Sequence, residues 1–494
     1  GDEHDGIWVL PEKDGVAPAI GEPVAQALDM EDWVIEIDNK SLTHRPDLWG
    51  HRGIAREVAA IYERELWRLD LTLPELGAGA PFPVRVEDAA CSRYLGLSID
   101  GAANGPSPDW LRALLLAVGQ RPLDLFVDLS NFVMLDLGQP NHAFDRDRLD
   151  AGGIVVRRAR AGERRKADGG EGRRKEESDL LITSGEQPVA LAGVMGGEGS
   201  KVVEGTSRLL LECATFDATT VRRTSARLAH RTDSSARFEK TLDPTLPVQA
   251  AAHYAHLLQA LQPGVTFPAA LSDDGDWSDP SRTIRLRTDV VRRDLGIELA
   301  DDAIASILTR LDLAPTPAEG GFDVAIPAAR ATKDLTMERD LVEEVGRIHR
   351  YGSVPEAPLV GAVVPPPFDR RRALVRAAED RLAGAARFHQ VLSYSFQADD
   401  LLANSNADQG PFVVAQSPVA PDLARIRRDV LPSLLGLVEG ARRERGVARL
   451  FEVGKGYRPE NAGEDGAPGE VHQIALVVGL PRPGADARFD DGAY

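Results

Sequence analysis

The chain has 494 residues, 43% hydrophobic and 27% charged, with a formal net charge of −19. That length calls for several domains, and the acidic balance excludes a protein that coats nucleic acid indiscriminately. No run of about 18 apolar residues is present, so no membrane-spanning helix is expected.

The chain starts with GDEHDGIWVLPEKDG, which is acidic and lacks the charged-then-apolar plan of a signal peptide. The two cysteines, Cys91 and Cys213, form no CxxC pair. That suits a reducing cytoplasm and offers no zinc site. Residues 1–71 form a first segment, in which WVIEID at 33–38 reads as a short strand. Then comes NKSLTHRPDLWGHRGIAREVAAIYERELW, where Pro46 can open a helix or a turn and Ile54, Val58 and Ile61 recur at helical spacing. By itself the stretch 39–47 supports no more than a turn before a packed helix. The Pro/Gly-rich stretch 74–83 reads as a linker.

Residues 84–274 are the largest unit. Expected strands at 84–86, 153–158 and 208–212 alternate with expected helices at 109–117 and 246–261, which is an α+β pattern. Residues 280–357 carry a strand at 283–286, an amphipathic helix at 301–311, a strand at 322–326 and an acidic helix from Asp340. A second linker, VVPPP at 363–367, leads into residues 368–494. There we expect helices at 373–386 and 429–440 and strands at 390–396, 449–454 and 474–480. Basic strips at 157–175, 222–231, 370–376 and 442–449 could hold phosphate, or could be solvated surface. We find no internal repeat.

Two groups of residues carry possible chemistry. In the large unit, DLSNFVMLDLGQPNHAFD (128–145), LAGVMGGEGS (191–200), LLLECATF around Glu212 and RTDSSARFEK from Arg231 follow one another. They supply an imidazole (His142), a carboxylate (Glu212), hydroxyls (Ser130, Thr232, Ser234), an amide (Asn131) and a glycine turn (Gly193, Gly196, Gly197). A water activated by His or Glu beside such donors can hydrolyse an ester. No GxSxG elbow is present, so a covalent serine hydrolase is not expected. The same residue types also serve as turn glycines and structural imidazoles, and spacing does not separate the two readings.

The second group is KDLTMERDLVEEVGRIHRY, residues 333–351. Asp340, Glu343, Glu344 and Arg347 fall at i, i+3, i+4 and i+7, on one helix face, with Asp334 just upstream. Leu341, Val345 and Ile348 make another, apolar face. Clustered carboxylates suit magnesium. On spacing alone the face fits better as a solvated one, partly neutralised by a Glu343–Arg347 pair, because charged helix faces are commonplace.

The pattern Asp, five residues, Asp, two residues, Glu-Glu, then an apolar run ending in Tyr resembles a segment of the β subunit of bacterial phenylalanine–tRNA ligases. Arg-Pro-Asp followed by Gly-Ile-Ala-Arg-Glu, and the ordered set around His142, Glu212 and Thr232, resemble the same family. The resemblance implies a multidomain α+β chain: an editing domain at 84–274, a winged-helix-like module at 280–357 and an incomplete, non-catalytic class II synthetase-like core at 368–494. It implies a Mg2+ site at Asp334, Asp340, Glu343 and Glu344, shared with an α subunit. It also implies hydrolysis of mischarged Tyr-tRNA(Phe) at His142, Glu212 and Thr232, with Ser130, Asn131, Gly196 and Ser234 binding the substrate.

Ser234 stands where the family carries Ala, and Ser130 where Thr is common. Arg425, Arg427 and Arg428, with FEVG at 451–454, resemble the β core's degenerate second motif, in which ATP binding is lost. ATP would then be used by the complex through α. The implied partners are the α subunit, in an α2β2 heterotetramer, and tRNA(Phe), in the cytoplasm and off the membrane. The family's tRNA-binding barrel and C-terminal anticodon module are expected to be missing. Two rival readings are a stand-alone aminoacyl-tRNA editing hydrolase and a scaffold whose editing site has decayed.

Overall fold

In the computed structural model, described for residues 17–27, 33–160, 163, 176–358, 360–406 and 410–480, the chain divides at 357/358 into two units. The first unit begins with a single helical turn, α1 (Val24–Ala27), and α2 (His51–Tyr62). Residues 33–38 are exposed and irregular rather than a strand. Among the described residues this short apolar run pairs with no strand.

The centre of the unit is a pair of long apolar strands, β2 (Cys91–Asp100) and β8 (Arg208–Phe216), paired antiparallel from Cys91↔Phe216 to Asp100↔Arg208. They lie between β3 (Asn141–Asp145) and β9 (Ser272–Asp274), in the order β3-β8-β2-β9. One face of this sheet, with Leu95, Leu97, Leu209, Leu211 and Ala143, packs on α3 (Asp109–Ala117), α4 (Leu125–Leu137) and α7 (Leu246–Leu261). Each leucine buried there contributes roughly 1.5–3 kcal/mol.

The opposite face, with Tyr94, Phe144, Leu210, Ala214 and Phe216, packs on a second sheet. That sheet contains β1 (Val84–Val86), β4 (Ile154–Arg158), β5 (Leu180–Ser184), β6 (Gln187–Leu191) and β7 (Met195–Gly196), in that order. The short helices α5 (Ala218–Arg227) and α6 (Asp233–Phe238) close the same core through Val221 and Phe238. The stretch expected to be a linker is packed rather than free. Leu73 and Leu76 lie on the core, and the Gly77 N–H donates to the Phe267 carbonyl at 2.7 Å.

Downstream, β10 (Arg282–Arg287), α8 (Thr288–Leu295), α9 (Asp301–Arg310), β11 (Ala314–Ala318), β12 (Gly321–Ile326), α10 (Ala328–Ala331) and α11 (Glu338–His349) share one core. The sheet order β10-β12-β11 leaves β11 at an edge, where Pro315 and Pro317 cost no ladder bond.

In the second unit, α12 (Arg370–Asp380), α13 (Asp399–Asn404) and α14 (Leu431–Arg445) accompany a long hairpin of β17 (Ala448–Arg458) and β18 (Gly469–Gly479). Val430, Leu434, Leu450 and Ala475 form its small core. The remaining strands are two-residue pieces: β13 (His389–Gln390), β14 (Phe396–Gln397), β15 (Val413–Val414) and β16 (Arg425–Ile426). The expected strand at 390–396 is therefore broken. Both the Ser393 N–H and its hydroxyl are bonded to Glu452 instead of to a neighbouring strand. Among the described residues no helix is long and apolar enough to cross a membrane.

Candidate functional site

Strand register builds the first site. His142 on β3 lies directly across from Glu212 on β8, and residues that face each other across a ladder point to the same side. Gly196 on β7 comes up against the imidazole: a Cβ at that position would sit 2.8 Å from His142 Cε1. Any side chain larger than hydrogen would push the ring away. The ring itself stands edge-on to Phe144, with centroids 4.5 Å apart. His142, Glu212 and Gly196 thus meet between the two sheets.

Thr232 and Ser234 reach this site through the turn that precedes β7. Thr232 caps α6, its hydroxyl accepting from the Ser235 N–H at 3.1 Å while the Ser235 hydroxyl accepts from the Thr232 N–H at 2.9 Å. The Thr232 hydroxyl also donates to the Val194 carbonyl at 2.9 Å, and Ser234 donates to the Gly193 carbonyl at 3.3 Å. Gly193 needs its left-handed φ of +70°, and a Cβ there would press on Val221. The two hydroxyls therefore hold the turn that carries Gly196. Ser130 and Asn131 lie on α4, in the other layer, beside the edge strand β3. They are tied to it by Asn141, whose amide donates to the Ser130 carbonyl at 3.1 Å.

Glu212 is 7% exposed, and burial pushes its carboxyl up to about 8, only partly offset by a hydrogen bond from Tyr94. Near neutral pH the group is therefore mostly the neutral acid, because little solvent is available to hold the charge. Tyr94, 0% exposed, donates to Glu212 Oε2 at 3.1 Å. Sequence reasoning missed this residue. It stands in CSRY, the half of the β2 sequence that shows no alternation.

The second group is arranged differently from the expected open acidic face. Glu344 is buried, where it meets Arg347 in a bidentate pair (2.6 Å and 2.6 Å) and Arg330 at 2.9 Å. Asp334 is bonded by Arg330 and lies 3.3 Å from Arg45 and 3.4 Å from His44. Arg347 also grips Glu57 at 2.5 and 3.0 Å, not the expected Glu343, which is exposed. Asp340 caps its own helix by accepting from the N–H groups of Thr336 and Met337. Arg45 forks onto Asp47 (2.8 Å twice) and reaches Glu57 at 2.7 Å, and Arg56 reaches Asp47 at 2.7 Å.

Four guanidinium groups (Arg45, Arg56, Arg330, Arg347) thus face four carboxylates (Asp47, Glu57, Asp334, Glu344). Burial works against ionisation of Glu344, yet Arg347 and Arg330 hold it down at about 2. Asp334 moves the other way: burial raises it despite Arg330 and Arg45. Among the described residues no group of acids is placed to hold a metal ion. Magnesium takes octahedral oxygen ligands at about 2.1 Å. Two of the four candidate oxygen donors are already spent on arginines and the other two point elsewhere, so this arrangement does not fit the ion.

Three arginines of the second unit, those singled out in the sequence, are also committed. Arg427 pairs with buried Glu452 at 2.8 Å, Arg428 with Glu460 at 2.6 Å and Arg425 with Asp399 at 2.5 Å.

Three family models match: the B3/4 domain over residues 90–263, the tRNA synthetase B5 domain over 284–351, and the phenylalanyl tRNA synthetase beta chain CLM domain over 354–485. A phenylalanine–tRNA ligase beta subunit from Solibacter usitatus is 39% identical, over 99% of this chain and 62% of the relative. One from Anaeromyxobacter dehalogenans is 36% identical, over 97% of this chain and 59% of the relative. The chain therefore spans about three-fifths of the length of the curated relatives it matches. A solved N-terminal fragment of the phenylalanyl-tRNA synthetase beta subunit from Pyrococcus horikoshii aligns at 17% identity and a TM-score of 0.35, over 64% of this chain and 86% of the fragment. That likeness is too low to carry an argument.

Proposed function

We propose that this chain, which belongs to the family of phenylalanine–tRNA ligase β subunits, hydrolyses Tyr-tRNA(Phe) at the site between its two sheets. In the same reading it assembles with an α subunit, as α2β2 in the cytoplasm, and supports the ATP- and magnesium-dependent attachment of phenylalanine to tRNA(Phe) that α performs. The observation that carries the editing reading is the buried Glu212 facing His142, with Gly196 packed close enough against the imidazole that only a glycine leaves the ring in place. An aminoacyl ester is already reactive, so a positioned water and oriented donors suffice. The Glu212 carboxyl reads the substrate phenol, and phenylalanine leaves that carboxyl unsatisfied.

The test is deacylation of Tyr-tRNA(Phe) and Phe-tRNA(Phe) by the αβ assembly. Glu212→Ala is expected to cut the Tyr-over-Phe rate ratio by tenfold or more, and to slow hydrolysis in general by less than that. An unchanged ratio removes Glu212 from recognition, and an unmutated assembly that leaves Tyr-tRNA(Phe) intact sinks the editing reading.

The committed arginines of the second unit favour a core without adenylate chemistry. Arg427 and Arg428 would need to abandon Glu452 and Glu460 to meet a triphosphate. We expect no ATP–pyrophosphate exchange above background from this chain without α. Exchange dependent on phenylalanine would contradict this.

A further inference from the structure

We infer that Tyr94 is a positioning residue for tyrosine recognition, fixing the Glu212 carboxyl so that its Oε1 oxygen is offered to the substrate phenol. This rests on the editing reading above and deepens it. The two residues lie on the same face of the β2–β8 ladder: Gly96 stands across from Glu212, Ala214 across from Tyr94, and the two side chains meet on the diagonal. Gly96 has no side chain to lie over Glu212, so the phenol of Tyr94 reaches Oε2 at 3.1 Å. Among the described residues Oε1 carries no hydrogen bond, so the carboxyl has one oxygen pinned and one left for a ligand.

Tyr94 is itself immobile, fully buried among Phe144, Leu210, Ala214 and Phe216. A Glu side chain free to rotate loses much of its discrimination, because the ordering cost must be met at binding. A carboxyl held by a rigid phenol has met that cost beforehand. The groups that face or neighbour Glu212 are Tyr94 and Cys91 on β2, His142 on β3 and Cys213 beside it on β8. Of these, Tyr94 is the one bonded to the carboxyl, and that bond draws the Glu212 pKa downward.

The test uses the αβ assembly. Tyr94→Phe deletes one oxygen and keeps the packing. It is expected to lower the Tyr-over-Phe deacylation ratio about tenfold, through KM for Tyr-tRNA(Phe) rather than kcat. The pH midpoint of that ratio should move upward, since the bond that lowers the Glu212 pKa is gone. In a Glu212→Ala background the same change should cost nothing further, because Tyr94 acts through the carboxyl.

If Glu212→Ala lowers the ratio and Tyr94→Phe does not, this inference fails while the editing reading stands. If Tyr94→Phe lowers it equally in both backgrounds, the residue is merely structural and the inference also fails. If the unmutated assembly does not deacylate Tyr-tRNA(Phe), both readings fail together.

Discussion

Replacing Arg330 by Met is expected to destabilise the first unit by about 3–5 kcal/mol, among the largest losses a single substitution in this chain can produce. Arg330 is 1% exposed and serves Asp334 and Glu344 together. Removing it leaves three guanidinium groups against four carboxylates, all within a cluster that little water reaches. The uncompensated charge, rather than the lost contact, sets the magnitude. Methionine nearly fills the volume, so a cavity contributes little.

Chemical denaturation of the unit should show a lower midpoint with an unchanged slope. Combining Arg330→Met with Glu344→Gln returns the cluster to three against three and should recover part of the loss. A double variant less stable than either single one would overturn this account. The same melts separate a structural cluster from a metal site. With Asp334 and Glu344 held by arginines, millimolar magnesium or a chelator should leave the midpoint of the unmutated chain where it is. A magnesium-dependent rise that disappears in Asp334→Asn would restore the metal reading.

That cluster also explains what was and was not legible in the sequence. HRPD at 44–47 and Arg56-Glu57 carry no evident chemistry when read alone. Their partners, Arg330, Asp334, Glu344 and Arg347, lie nearly 300 residues away; Arg347 and Glu57 are 290 apart. Local periodicity contains no information about such pairing. By contrast, the helix Asp109–Ala117 ends where its apolar spacing ends, because an amphipathic stripe is a local property.

β2 and α4 escaped for the opposite reason. β2 is buried on both faces, Tyr94 to one side and Leu95 and Leu97 to the other; it alternates only over LGLSID at 95–100, and CSRY at 91–94 gives no pattern to read. α4 is likewise apolar nearly all round: Phe126, Leu129, Val133 and Leu137 are buried together with Ser130 and Asp128. The site inherited both gaps. His142, Glu212 and Gly196 could be chosen as residue types, but the phenol that holds Glu212 came from the half of β2 that shows no alternation.

Glu212 should also make the first unit lose stability as pH rises. Its pKa in the folded chain is about 8, against an ordinary value of 4.5, because burial disfavours the charged form more than the Tyr94 hydrogen bond favours it. The folded state therefore binds the proton more tightly than the unfolded state. The sign follows: this stabilisation is full below pH 4.5 and is lost as pH climbs through 8. Each unit of displacement is worth about 1.4 kcal/mol, so the loss across that window approaches roughly 4 kcal/mol.

The acidic cluster changes stability in a different range. Glu344 is held at about 2, so its share is present above pH 4.5 and disappears only on acidification toward 2. The two effects can thus be read separately from one set of melts between pH 2 and 9. Glu212→Gln keeps the shape and an amide that can still accept from Tyr94, but it cannot ionise. It should flatten the alkaline half of the curve and leave the acid half alone, becoming more stable than the unmutated chain at pH 8.5. A variant that keeps the full alkaline decline would mean that Glu212 titrates normally and that solvent reaches the carboxyl. In that event the neutral acid would have to be given up.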